Sequence, residues 1–120
     1  MRAGLKFLFV DDHAAMRQVL RELLTLPSDD VREAADGAEA ELVFEDQRPD
    51  WVVMDVQMRP VGGLDATGHI MARHPGARIV IVSQFDAPDL RAHAAEVGAR
   101  AYLMKDDLSS LQRMVHVIPA

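Results

Sequence analysis

Apolar and polar positions along this chain switch repeatedly between a short β-like run and a helical stripe. Lys6 to Val10 is a short apolar run that stops in Asp11 and Asp12; Met16, Val19, Leu20, Leu23 and Leu24 follow at the spacing that puts one stripe on a helix. Pro27 to Asp30 breaks that helix. Val31 to Ala35 reads as a weaker strand, Asp36-Gly37 turns the chain, and Ala40, Val43 and Phe44 face inward on a second helix closed by Pro49. Trp51 to Asp55 is a third strand, and a loop through Pro60, Gly62 and Gly63 enters a helix from about Leu64 to Arg73, stopped by Pro75-Gly76. Ile79 to Ser83 is the most β-rich run, Pro88 suits the first turn of a fourth helix, and Gly98 its C-terminal cap. Ala101 to Met104 supplies a fifth strand; Leu108, Leu111, Val115 and Ile118 stripe a last helix with Asp107 as N-cap.

Repeated βα units with short connections predict an α/β protein: a parallel sheet, right-handed crossovers and helices on both faces. No repeat, low-complexity tract or linker interrupts the rhythm. With 120 residues, 49% of them apolar, the chain can bury one core but not two, so residues 1–120 read as a single domain.

Composition narrows the function classes. The absence of cysteine excludes disulfides and thiolate metal sites. A formal charge of −6 speaks against a nucleic-acid surface, which needs clustered Lys and Arg. The longest apolar stretches are too short to span a bilayer and the N-terminus lacks a secretory apolar region, so a cytoplasmic protein is expected. His13, His69, His74, His93 and His116 show no zinc spacing and read as surface or loop residues. The methionines read as core filler, Glu39, Glu41, Glu45 and Asp46 as a solvated helix face, and Trp51 as the start of a buried strand away from any site.

In such a sheet the strand C-termini gather on one edge, where ligands of open α/β sheets bind. That edge would hold Asp11 and Asp12, Asp55, Ser83 and Lys105. Neighbouring carboxylates raise one another's pKa unless a cation neutralises them, so the cluster calls for a metal or for Lys105. The residue types suit phosphoryl transfer: one carboxylate attacks, the others hold magnesium, and the serine hydroxyl and lysine ammonium bind the remaining oxygens. Each residue has a simpler alternative. Asp11 and Asp12 can cap a helix, Asp55 can be a turn acid, Ser83 can bond to backbone, Lys105 can pair with Asp55 in a salt bridge, and Tyr102 can be a half-buried strand aromatic. Jointly, the acidic pair, Asp55, Ser83, Lys105 and Tyr102 favour a phosphoacceptor site.

These residues also carry a resemblance. Asp11-Asp12, Asp55-Val56-Gln57-Met58, Gly63-Leu64, Ser83 after Val80-Ile81-Val82, and Ala101-Tyr102-Leu103-Met104-Lys105 occur in the order seen in the receiver domain of two-component response regulators, which the chain resembles over essentially its whole length. Ser83-Gln84-Phe85-Asp86 and Tyr102-Leu103-Met104-Lys105-Asp106 look most like receivers of the NarL/LuxR type. The resemblance implies a flavodoxin-like (βα)5 fold with a doubly wound sheet of strand order 2-1-3-4-5. It implies that Asp55 accepts a phosphoryl group from a histidine kinase's phosphohistidine. Asp11, Asp12 and Asp55, with the Gln57 carbonyl, would hold Mg2+; Ser83 and Lys105 would hold the acyl phosphate. Ser83 and Tyr102 would form the switch, and the face of helix four, strand five and helix five would carry the output, with homodimerisation on phosphorylation. No direct contact with nucleic acid or membrane is expected of this domain. It would be a signalling switch that catalyses its own phosphorylation and dephosphorylation, not an enzyme acting on another substrate.

Three positions depart from the usual pattern. Arg59 stands where most receivers have proline, Gln84 where many keep a small residue, and Asp106 follows Lys105 in place of proline, which argues against a cis bond there. Two other classes compete with the switch: a receiver-like interaction module that no longer needs phosphate, and a flavodoxin-like or metal-dependent enzyme on the same architecture. The chain stops just after the last helix, at Ala120, as a stand-alone receiver or the N-terminal piece of a transcription factor would.

Overall fold

A computed structural model describes residues 4–117. Five strands alternate with five helices: β1 (Lys6–Val10), α1 (Ala14–Leu24), β2 (Asp30–Ala34), α2 (Gly37–Gln47), β3 (Trp51–Asp55), α3 (Gly63–Arg73), β4 (Ile79–Ser83), α4 (Pro88–Glu96), β5 (Ala101–Met104) and α5 (Leu108–Val117). The strands form one sheet in the order β2-β1-β3-β4-β5, every neighbouring pair parallel. Among the described residues, no helix is long and apolar enough to cross a membrane.

Alternation along each strand divides the core between the two faces of the sheet. Leu8, Val10, Val52, Met54, Ile79 and Ile81 pack with Ala40 and Phe44 of α2, Leu64 and Ile70 of α3, and Ala94 of α4. Phe7, Phe9, Trp51, Val53, Val80 and Val82 pack on the opposite face with Leu20 and Leu24 of α1 and Leu111 and Val115 of α5. Strands β3 and β4 are buried along their whole length, which is why they read as unbroken apolar runs.

Boundaries differ from expectation in small ways that have physical causes. Strand β2 begins at Asp30, not Val31, because the Asp30 N–H donates to the Leu5 carbonyl at 2.8 Å, and it ends at Ala34, before Ala35. Its partly exposed edge position explains its weak pattern. Asp36 then caps α2, its carboxylate accepting the Glu39 N–H at 2.9 Å. Helix α3 starts at Gly63, one residue early. Gly98, at φ 95°, closes α4: its N–H donates to Ala95 and that of Ala99 to Ala94, the paired bonds of a left-handed helix stop. Asp107 precedes α5 and accepts the Ser110 hydroxyl at 2.8 Å; that bond, joined by the Ser110 N–H, holds its carboxyl below the usual range. Ile118 lies outside the described residues.

The acidic run on α2 is not simply solvated. Glu41 lies 3.0 Å from His69 Nδ1 and accepts from Arg73 at 3.2 Å, and Glu45 lies 2.7 Å from His74 Nε2, so the two acids join α2 to α3. His69 is at the surface and His74 just past the end of α3, as expected, and both also face these acids. Helix spacing on α2 alone could not show this, because the partners are 28 to 32 residues further along.

Candidate functional site

The C-terminal ends of β1, β3, β4 and β5 deliver the site. Asp11 follows β1 and is fully buried; its N–H donates to Ala34, and its carbonyl accepts Arg17 Nη1 at 2.6 Å. The loop is thereby pinned before α1 begins. Helix capping does not account for the acidic pair: the N-cap of α1 is His13, without a side-chain cap, and Asp11 Oδ1 accepts the His13 N–H at 2.9 Å. Asp12 is exposed. His13 Nδ1 lies 2.9 Å from Asp12 Oδ1 and 3.3 Å from Asp11 Oδ1, and ligand atoms of the three residues all lie within 4.8 Å of one another.

Asp55 ends β3 at 4% exposure and Ser83 ends β4 at 1%. Lys105 follows β5, and its N–H donates to the Ser83 carbonyl at 2.8 Å, which carries its side chain back over the sheet edge. The ammonium contacts Asp11 Oδ2 at 3.0 Å and Asp55 Oδ1 at 3.2 Å, so one cation faces two buried carboxylates. Asp12, His13, Asp55, Gln57, Ser83, Gln84 and Lys105 line a cleft of about 200 Å³ here. A wider opening of about 530 Å³ beside it is lined by Asp12, Gln57, Met58 and Arg59. Asp11, Asp12, Asp55, Gln57, Ser83 and Lys105 are thus brought together as expected.

Tyr102 lies outside the cleft. It is 9% exposed on the α2–α3–α4 face of the sheet and reaches the site through the β4–α4 loop: its hydroxyl donates to the Phe85 carbonyl at 2.6 Å, and the Phe85 N–H donates to Ser83 Oγ at 3.0 Å. Ser83 therefore does bond to backbone, yet its own O–H remains a donor. The Lys105–Asp106 bond is not cis; among the described residues the cis bond is Arg59–Pro60.

Burial pushes the Asp55 carboxyl up from its usual range, and the Asp11 charge adds to this, while Lys105 and the Gln57 N–H offset part of it. Burial pulls the Lys105 ammonium down, but its hydrogen bond to Asp11 and the two carboxylate charges outweigh that and raise it. The sign for stability follows by linkage. With a folded pKa above the unfolded one, the Asp55 contribution is present in acid and is lost as pH rises through the folded value. Ionised Asp55 therefore costs the metal-free fold stability at neutral pH. Asp55→Asn is expected to raise the neutral-pH melting temperature by about 4 °C, on the order of 1 kcal/mol, and to lose that advantage in acid. Melting curves at several pH values in chelator check this; a variant that melts below wild type at neutral pH would contradict it.

The donor set fits a hard divalent cation. Two buried carboxylates share one ammonium and the exposed Asp12 adjoins Asp11, which leaves unbalanced negative charge on oxygen ligands of the kind magnesium takes. His13 is exposed, as expected of a surface or loop histidine, and the structure also sets its Nδ1 beside Asp12 and Asp11, a neighbourhood that adjacency in the sequence permits but does not fix.

Comparison with known proteins agrees with the geometry. The profile of the response regulator receiver domain matches residues 7–116. The chain is 34% identical to the chemotaxis protein CheY of Thermotoga maritima over 103 residues, covering 85% of this chain and 86% of that one. It is 34% identical to the oxygen regulatory protein NreC of Staphylococcus epidermidis, covering 85% of this chain but 48% of that protein. The chain spans about half the length of such regulators. Among solved structures, a LuxR-family two-component response regulator from Aurantimonas superposes with a TM-score of 0.86 at 33% identity, covering 96% and 84% of the two chains. The CheX–CheY–BeF3–Mg2+ complex of Borrelia burgdorferi gives 0.86 at 25% identity, covering 98% and 92%.

Proposed function

This chain belongs to the response regulator receiver domain family of two-component systems, and from that premise we propose that Asp55 is its phosphoacceptor, with a histidine kinase's phosphohistidine as donor. The observation that carries this reading is the Lys105 ammonium held between Asp11 and Asp55, because it sets a cation beside the one buried carboxylate that also faces the cleft.

An Asp55 carboxylate oxygen attacks phosphorus; the P–N bond to the donor imidazole breaks, and the departing nitrogen keeps the electron pair and takes a proton from solvent. Lys105 and the Ser83 hydroxyl bind phosphoryl oxygens and orient the group, the main task of the protein in a loose phosphoryl-transfer transition state. Asp11, Asp12, Asp55 and the Gln57 carbonyl are the residues that would hold Mg2+, which when bound neutralises charge on the phosphoryl oxygens. The Borrelia CheY complex named above contains both BeF3 and Mg2+, which supports this reading. Ser83 and Tyr102 form the switch, biasing the α4–β5–α5 face between two populations.

Residues 1–120 act as one receiver, in the cytoplasm, with no contact of their own to nucleic acid or membrane. Phosphorylation favours a homodimer, and the output is transcription through a DNA-binding domain outside this chain; the half-length match to the transcriptional regulator DegU supports this. The chain catalyses its own phosphorylation and dephosphorylation and no other reaction.

The test is intact mass after incubation with acetyl phosphate. A single phosphoryl adduct is expected in wild type with magnesium, and none in chelator or in Asp55→Asn. An unmodified wild type, under conditions that load another receiver, would overturn the proposal in favour of a phosphate-independent interaction module.

A further inference from the structure

Tyr102 is held on more than one side. Its hydroxyl donates to Phe85 in the β4–α4 loop. From the first turn of α4, the Arg91 guanidinium carbon sits 4.7 Å from the centre of the Tyr102 ring. The same guanidinium donates through Nη1 to the Tyr102 carbonyl at 3.3 Å and through Nε to Asp86 Oδ1 at 2.7 Å. With the Phe85 N–H on Ser83 Oγ, a continuous line of contacts runs from the cleft through Ser83, Phe85 and Tyr102 to Arg91.

An aromatic side chain near a strand end can turn between staggered wells. A guanidinium seated over the ring and anchored by hydrogen bonds opposes that turn, because swinging the ring away forfeits the cation–π contact. Asp86 keeps the guanidinium from following. From this juxtaposition we infer that Arg91 is a positioning residue that holds Tyr102 in its buried orientation before any phosphoryl group arrives, so that one half of the switch is set in advance. The inference rests on the reading of Ser83 and Tyr102 as the switch. Its functional consequence is a resting population already biased toward the buried ring, so phosphorylation has less left to shift.

The chain contains one tyrosine, so fluorotyrosine labelling reports position 102 alone. Fluorine NMR with a soluble paramagnetic probe reads how accessible the ring is, with and without acetyl phosphate and magnesium, and intact mass records loading in each sample. In wild type the ring is expected to be shielded before loading and to change little after it. In Arg91→Ala the ratio of outward to buried ring should rise by about 2- to 5-fold before loading, the worth of one such contact, and fall back after it. Arg91→Lys, which keeps the charge but not the paired hydrogen bonds of the guanidinium, should fall between the two. Asp86→Asn frees the far end of the guanidinium and should move the ring in the same direction, and it serves if Arg91→Ala does not fold. A wild-type ring that is open before loading, or variants that match wild type there, would overturn the inference. The comparison before loading judges Arg91 even if wild type takes up no phosphoryl group, an outcome that would sink only the phosphoacceptor reading.

Discussion

Gly63→Ala is expected to lower the melting temperature by roughly 10 °C or more and to abolish phosphoryl loading at Asp55. A Cβ built on Gly63 would stand 1.8 Å from the Asp55 carbonyl oxygen, 2.8 Å from its carbon and 2.9 Å from Met54 Cγ. Two of these atoms are backbone in a strand buried along its length, so the clash cannot be relieved by turning a side chain. Helix α3 would have to lift from the end of β3, breaking the Gly63 N–H bond to Val56 at 3.1 Å and moving Asp55 away from Lys105. Overpacking of a buried site ordinarily costs about 1–3 kcal/mol, and a fixed backbone obstacle puts this case at or above the upper end. A melting curve and intact mass on the one variant decide it. Wild-type values for both would mean that the strand end and the helix start are not locked together.

Lys105→Met should have the second largest effect. The substitution keeps most of the side chain's length but removes the cation that touches Asp11 and Asp55, leaving two buried carboxylates without it. Removing one partner of a buried ion pair typically costs about 3–5 kcal/mol. The site opens into a cleft and Lys105 itself is 15% exposed, so a loss of about 3 kcal/mol at neutral pH is expected. Asp55, already raised by burial, would be pushed up further, so the deficit should shrink in acid, where that carboxyl is protonated. Millimolar magnesium should recover more stability in the variant than in wild type, because the ion would replace the counter-charge that Lys105 supplied. Phosphoryl loading should be slow even then, since one group that binds the phosphoryl oxygens is gone. Equal melting of variant and wild type in chelator at neutral pH would show that the ammonium is not what holds the carboxylates together.

Much of the fold was legible from local patterns. The continuous apolar runs of β3 and β4, the stripe of α1, Pro88 at the start of α4 and Gly98 after it each depend on the chain's own periodicity or on the φ demanded of a single residue. Legibility fell where the signal is shared with a distant partner. Strand β2 starts a residue earlier than its own pattern shows, because its first backbone bond is made with Leu5, just ahead of β1. The acids of α2 read as solvated because nothing in that helix reveals His69, Arg73 and His74 across the gap to α3.

The candidate site divides in the same way. Asp11, Asp12, Asp55, Ser83 and Lys105 could be named in advance because each ends a strand or lies within two residues of its end, and parallel strands with right-handed crossovers must bring those ends to one edge. Sequence alone could therefore settle which residues meet. It could not settle which carboxylates share the lysine, that His13 turns back onto the acidic pair, or that Arg91 lies over Tyr102. Those contacts join groups up to 94 residues apart through side chains with several open rotamers. Only packing selects among the rotamers, because each is stabilised by neighbours that the fold, and not the local chain, supplies.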